Sequence, residues 1–122
     1  KFGLAEVQAG VDFPIAPLEI ARATLNPNIQ RRLMMTWQTI GPIAARNFNI
    51  VDIIADDAED LLGYALKEAR ALAELPSETY AAIKQQLRGE TIAKIRTAME
   101  AEAEDQPWFT AETVPAMTKI IG

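Results

Sequence analysis

The sequence predicts an α/β chain that is helix-rich, mostly α, with two short strands near its beginning. Three observations carry this reading. Apolar residues between Ala58 and Ala73 recur with the helical period for roughly four to five turns. The run Ile50-Val51-Asp52-Ile53-Ile54 is short and β-branched, as a strand is. Gly10, Pro14, Pro17 and Pro27 break the opening into short pieces before regular helices take over near residue 56.

The elements follow in order. Residues 2–8 read as a short strand or extended segment closed by Gly10. Phe13 and Ala16 precede prolines and are biased toward extended backbone. Pro17 suits the first turn of a short helix reaching about Leu25. Asn26-Pro27 is a cap followed by a proline at the first helical position. The next helix is expected over Asn28–Gln38, burying Ile29, Leu33, Met34 and Trp37. Gly41-Pro42 breaks the chain before a short helix over Ile43–Asn47. Asn49 tolerates positive φ and can turn the chain into the strand Ile50–Ile54.

Asp56 with Glu59 resembles a capping box. The helix after it presents Ala58, Leu61, Leu62, Ala65, Leu66, Ala69, Leu72 and Ala73 on one face, with Glu68, Arg70 and Glu74 away from it. Pro76-Ser77 starts the next helix, with Tyr80, Ile83 and Leu87 inward, and Gly89 is expected to interrupt it. A further helix carries Ile92, Ile95 and Met99, fades into Glu100–Asp105 and stops at Pro107. Thr110 opens a last helix with Val114, Met117, Ile120 and Ile121 on one side and Pro115 within its first turn or two. Two short strands do not make a stable sheet by themselves, so either their partners lie upstream of Lys1, the reading preferred here, or these segments are not strands.

Composition narrows the chemistry. A length of 122 residues is one domain's worth of chain. The net charge of −5 and the single basic pair Arg31-Arg32 argue against phosphate-backbone binding, so no nucleic-acid partner is expected. That pair reads as a solvated helix face. Apolar runs are too short for a bilayer-crossing helix, and no membrane partner is expected. No basic-then-apolar leader pattern is visible. Histidine and cysteine are both absent. This excludes a Ser-His-Asp triad, a thiol nucleophile, imidazole or thiolate zinc sites and disulfides within this stretch. No metal site is expected, and acid–base work must fall to carboxylates, lysine or tyrosine. The lack of cysteine fits a reducing, cytoplasmic compartment. Among the carboxylates, Glu6 stands out as a lone acid inside an apolar run, a setting that proton transfer uses, although by the residues alone a strand carboxylate facing solvent is the commoner case.

Phe2-Gly3-Leu4-Ala5-Glu6-Val7-x-x-Gly10 resembles the F-G-L-P-E-x-x-x-G signature of the crotonase superfamily, the enoyl-CoA hydratase/isomerase family. Ala45-Arg46-Asn47-Phe48-Asn49-Ile50-Val51-Asp52 is similar to that family's later A-x-x-x-G-L-V-D element. Leu75-Pro76 and Tyr80-Ala81-Ala82-x-Lys84-x-x-Leu87-Arg88 resemble the helix pair that follows it. The resemblance implies a crotonase-like ββα spiral of which this chain is the C-terminal half. Residues 1–56 would end the spiral core and carry the active-site segment, and residues 57–122 would form the helical oligomerisation region.

The activity this implies is reversible hydration of a 2-enoyl-CoA thioester. Two backbone N–H donors on the missing half would stabilise the enolate, and Glu6 would act with a second, upstream glutamate. A Δ3,Δ2-enoyl-CoA isomerase with Glu6 as sole base is the alternative. An inert helical assembly fragment lacking the oxyanion donors is the alternative of another class. Phe13, Pro14 and Leu18 either pack or line the acyl pocket; Phe109, with Trp108, either packs or closes the acyl site. No cofactor is implied, because coenzyme A belongs to the substrate. A homotrimer or hexamer is implied. The sequence departs from the family at Ala5 for proline, at Trp37 and Asn49 for glycine, and over Val11–Pro17 for the hydratases' P-G-A-G-G-T loop. The last of these leans toward the isomerase branch.

Overall fold

A computed structural model describes residues 1–102 and 108–122. Among these residues the elements run α1 (Glu6–Ala9), α2 (Ile15–Thr24), α3 (Pro27–Gln30), a π-helical turn (Arg31–Met35), α4 (Pro42–Asn47), α5 (Ala58–Ala73), α6 (Ser77–Glu102) and α7 (Thr113–Ile121). The chain is mostly helical, as expected, but neither expected strand forms.

Each missing strand has a physical reason. In 2–8 only Phe2 stays in β geometry, as an isolated antiparallel bridge to Ile40, with Phe2 N donating to Ile40 O at 2.8 Å and Ile40 N donating to Phe2 O at 2.8 Å. From Glu6 the chain turns helical, because Gly10 adopts a left-handed conformation (φ 64°) and its N–H caps the Glu6 carbonyl. Ile50–Ile54 has no neighbouring edge to pair with among the described residues, and an unpaired ladder is not stable.

The capping signals fare better. The Asn26 side chain accepts a hydrogen bond from Ile29 N at 3.0 Å, and Pro27 opens α3. That helix then widens into the π turn and stops short of Gln38. Trp37 takes φ 45°. A bulky residue there costs about 1–2 kcal/mol. Trp37 lies beyond the end of this helical stretch, which Thr36 caps, and is 52% exposed and not buried. Asn49 takes φ 57°, the turn expected of it.

The cap of α5 is Asp57, one residue later than expected. Its carboxylate accepts from Glu59 N at 2.8 Å and Asp60 N at 2.9 Å. Gly89 does not interrupt α6, which runs unbroken across it. An isolated glycine weakens a helix without ending it. The expected stop at Pro107 lies outside the described residues. Pro115 sits in the first turn of α7, where a missing N–H is harmless.

The core is small. Ala21, Leu25, Ile29, Leu33, Ile40 and Ala45 are buried together, with Leu4, Met34, Ala44, Phe48 and Ile50 packed against them. Helix α2 and its C-cap residue feed this cluster with Ala21 and Leu25, while α6 packs against α2. Ala98 on α6 is buried, and Arg88 Nη1 donates to the Ala23 carbonyl at 3.0 Å. On the exposed side of α6, Lys94 hydrogen-bonds Glu90 at 2.8 Å, which raises the lysine pKa and lowers the glutamate's. Every residue of α5 is exposed. No helix among the described residues is long and apolar enough to cross a membrane.

Leu33 is 1% exposed and is the anchor of this core. Leu33→Ala is expected to cost about 2–5 kcal/mol, against less than about 0.5 kcal/mol for Leu87→Ala at a surface position, read from denaturant unfolding midpoints. Gly89→Ala is expected to stabilise by about 0.5–1 kcal/mol. The added methyl meets only the movable amide end of Gln85. A lower unfolding midpoint for this variant would contradict the unbroken helix.

Candidate functional site

The opening segment and α7 are tied together at one carbonyl. Gly10 O accepts a hydrogen bond from Thr110 Oγ1 at 3.0 Å and a second from Thr113 Oγ1. Thr113 is the one buried polar residue among those described. Thr110 N donates to Thr113 Oγ1 at 2.8 Å, so the two threonines also brace each other. One residue on, Val11 bridges Phe109 in antiparallel fashion, and Asp12 N donates to Trp108 O at 2.8 Å. The junction holds α1, and Glu6 with it, against α7.

Glu6 occupies the first turn of α1, where the helix dipole favours an acid. The residue is half-buried. Its Oε2 atom is shut away from solvent and has no hydrogen-bond partner among the described residues. Buried polar atoms are almost always paired, so an orphaned carboxylate oxygen calls for an explanation.

An apolar groove of about 340 Å³ lies beside this segment, lined by Phe2, Leu4, Phe13, Pro17, Ile20 and Ile50 among others. Leu4 is two residues before Glu6 in the chain. Phe13 immediately precedes Pro14, which caps α2 in an extended conformation with ψ 142°. Of the residues singled out in the sequence, Phe13 lines this groove. Pro14 and Leu18 are half-buried at the start of α2, and neither is on its wall; Leu18 N donates to Pro14 O at 3.0 Å. Glu6 is not on the wall either. Phe109 is 67% exposed and lines a different cleft, with Val114, Met117 and Ile121 of α7. A third cleft, between α1 and α7, includes Gln8, Glu112 and Lys119.

Arg31 and Arg32 are exposed, the solvated face expected of them; Arg32 also stands 5.9 Å over the Phe48 ring. Among the described residues no group of three or more acidic side chains could hold a metal ion.

The sequence reading missed Thr110 and Thr113 as partners of Gly10, because nothing local joins residues a hundred positions apart. It also missed Ile20 and Ile50 as groove walls. The spacing of Pro17, Ile20, Ala21 and Leu25 along one helical face was the signal for the former. Comparison with protein-family models, curated proteins and solved structures finds no match to this chain.

Gly10 is where the geometry of this junction is least forgiving. A Cβ there would lie 2.9 Å from the Glu112 carbonyl oxygen, at a φ that favours glycine. Gly10→Ala is expected to destabilise by about 1–3 kcal/mol and to loosen α7 first, read as faster amide exchange over Thr113–Ile121 than over α2.

Proposed function

We propose that this chain supplies the acid–base carboxylate of an acyl-CoA enzyme resembling the enoyl-CoA hydratase/isomerase family, and that its reaction is reversible hydration of a 2-enoyl-CoA thioester. The observation that carries the proposal is the Oε2 atom of Glu6, shielded from water and without a partner. A carboxylate oxygen with unused acceptor capacity is what a group needs if it is to take a proton from water and return it to carbon. The apolar groove on the neighbouring Phe2–Leu4 segment and α2 adds a surface fitted to a hydrocarbon tail.

In the proposed reaction Glu6 accepts a proton from water as the water oxygen bonds to C3 of the enoyl thioester. The C2=C3 π electrons move toward the thioester carbonyl, and negative charge collects on its oxygen. Glu6 then gives the proton it took from water to C2, so that H and OH of one water have added across C2=C3 and Glu6 is a carboxylate again. The oxyanion needs two aimed N–H donors. In the proposed enzyme these come from outside the 122 residues, as the resemblance implies. Coenzyme A enters as part of the substrate, and no separate cofactor takes part.

The Phe13-Pro14 stretch in place of a glycine-rich loop favours a variant of this reading. There Glu6 is the sole base and moves a proton between C2 and C4 of a 3-enoyl thioester. A reading of another class, a helical assembly module without turnover, draws support from α5, whose residues are all exposed.

One assay separates the three. In protein containing this chain, hydration removes the conjugated absorbance of a 2-enoyl-CoA, and isomerisation creates it from a 3-enoyl-CoA. Glu6→Gln is expected to lower kcat/KM by about 10²–10⁴-fold on whichever substrate reacts, with an unchanged circular dichroism spectrum. Equal rates in the two proteins would remove Glu6 from the mechanism. No turnover on either substrate, in a preparation whose mass extends beyond 13.4 kDa, would leave the assembly module.

A further inference from the structure

We infer that the outer face of the π turn and α4 docks on an anionic lipid bilayer, with Arg31, Arg32 and Arg46 at the headgroups and Met35, Trp37 and Ile43 entering the layer between them. The inference is independent of the proposed chemistry and uses none of its residues.

Charge is sorted along this chain. No acidic residue lies between Glu19 and Asp52, so all 17 acids fall outside a stretch that carries Arg22, Arg31, Arg32 and Arg46. Arg22 pairs with Glu19 at 2.7 Å. The other three arginines are exposed and have no ion-pair partner among the described residues. A chain of net charge −5 thus keeps one basic stretch clear of acids.

The backbone sets apolar groups beside these arginines. Leu33 is buried, and Arg31 and Met35 each stand two residues from it, about half a helical turn, so both point away from the core. Ala45 is buried in the same cluster. Ile43 stands two residues from Ala45 and points outward too, with Arg46 three residues on as its surface neighbour. Met35 and Ile43 are 72% and 66% exposed. The two pieces lie side by side, because Arg32 on the π turn stands over the ring of Phe48, the C-cap of α4. Trp37 lies in the connection between them, 52% exposed at φ 45°. Thr36 Oγ1 and Gln38 N both donate to Arg32 O, at 2.6 Å and 3.3 Å, and these bonds on either side hold Trp37 in its strained turn.

This combination selects the partner. Three arginines with no acid among them suit a surface of uniform negative charge better than a protein surface of mixed sign. Nucleic acid has that charge but offers nothing to an exposed methionine and isoleucine. A bilayer containing anionic lipid offers both, with an apolar layer just beneath the charged one. Tryptophan suits that boundary, having an apolar ring and one N–H for the wet side. The acidic remainder of the chain is repelled by such a surface and orients the basic face toward it. The contact is peripheral and needs no bilayer-crossing helix.

The test is flotation of protein containing this chain with vesicles of phosphatidylcholine alone or of phosphatidylcholine mixed with phosphatidylserine. Flotation with the mixed vesicles alone is expected, declining as salt is raised. Arg31→Gln and Arg46→Gln are each expected to lower the partition coefficient about fivefold. Trp37→Gly is expected to lower it about tenfold or more. Glycine accepts φ 45° without strain, so this variant is expected to keep or raise its unfolding midpoint, and its loss of binding is then no loss of fold. Arg70→Gln changes the net charge equally, on α5, and is expected to leave partitioning unchanged. No flotation with mixed vesicles, or equal flotation with both kinds, would overturn the proposal. So would a loss in Arg70→Gln as large as that in Arg31→Gln, or binding indifferent to Trp37→Gly.

Discussion

Helix α2 is the constraint on which the rest of this structure depends. One side of it sends Ala21 and Leu25 into the cluster around Leu33, and α6 packs against it. Without that double contact the long α6 would have nothing to lie on, because the residues of its first two turns and beyond, up to Arg88, are exposed. Ala21 on α2 and Ala98 on α6 are both buried. Arg88 secures the arrangement by reaching the carbonyl of Ala23, a helical carbonyl close to the free end of α2.

A second junction, at the Gly10 carbonyl, decides where Glu6 is held. Two threonine hydroxyls converge on that one oxygen, and glycine alone admits the approach of the Glu112 backbone. Glu6 sits one short helical turn from this clamp. Its position is thus set by residues near the far end of the chain, and the shielding of Oε2 is a tertiary property. The groove alongside is built differently, from the opening residues, α2 and Ile50. The carboxylate and the apolar wall come from neighbouring stretches of chain but rest on separate supports.

The balance of surface explains why the molecule looks unfinished on its own. A handful of buried aliphatic residues around Leu33 make the core, while α5, the first half of α6 and one side of α7 present leucine, isoleucine, tyrosine and methionine to solvent. Hydrophobic burial is the main term that offsets chain entropy, so a helix such as α5 is held here chiefly by its own hydrogen bonds and by the Asp57 cap. The leucine face reads in the sequence as a core-facing stripe. In the structure the stripe is present and its complement is not.

Much of the local structure was legible residue by residue. Asn26-Pro27 start α3, Asn49 makes the left-handed turn, Ser77 follows Pro76 into α6, and the leucine period marks α5; each depends on groups within a few positions of one another, whose energetics the sequence contains directly. The candidate site was legible only as residue types: a lone acid at Glu6, and Phe13 fixed before a proline. The tertiary structure decided the remainder. It made Glu6–Ala9 helical where a strand or extended segment was expected, left Trp37 exposed at positive φ, turned Phe109 away from the groove that Phe13 lines, and brought Thr110 and Thr113 to the carbonyl of Gly10. These outcomes rest on contacts between residues far apart in the chain, and such contacts leave no periodic or neighbouring trace in the order of amino acids.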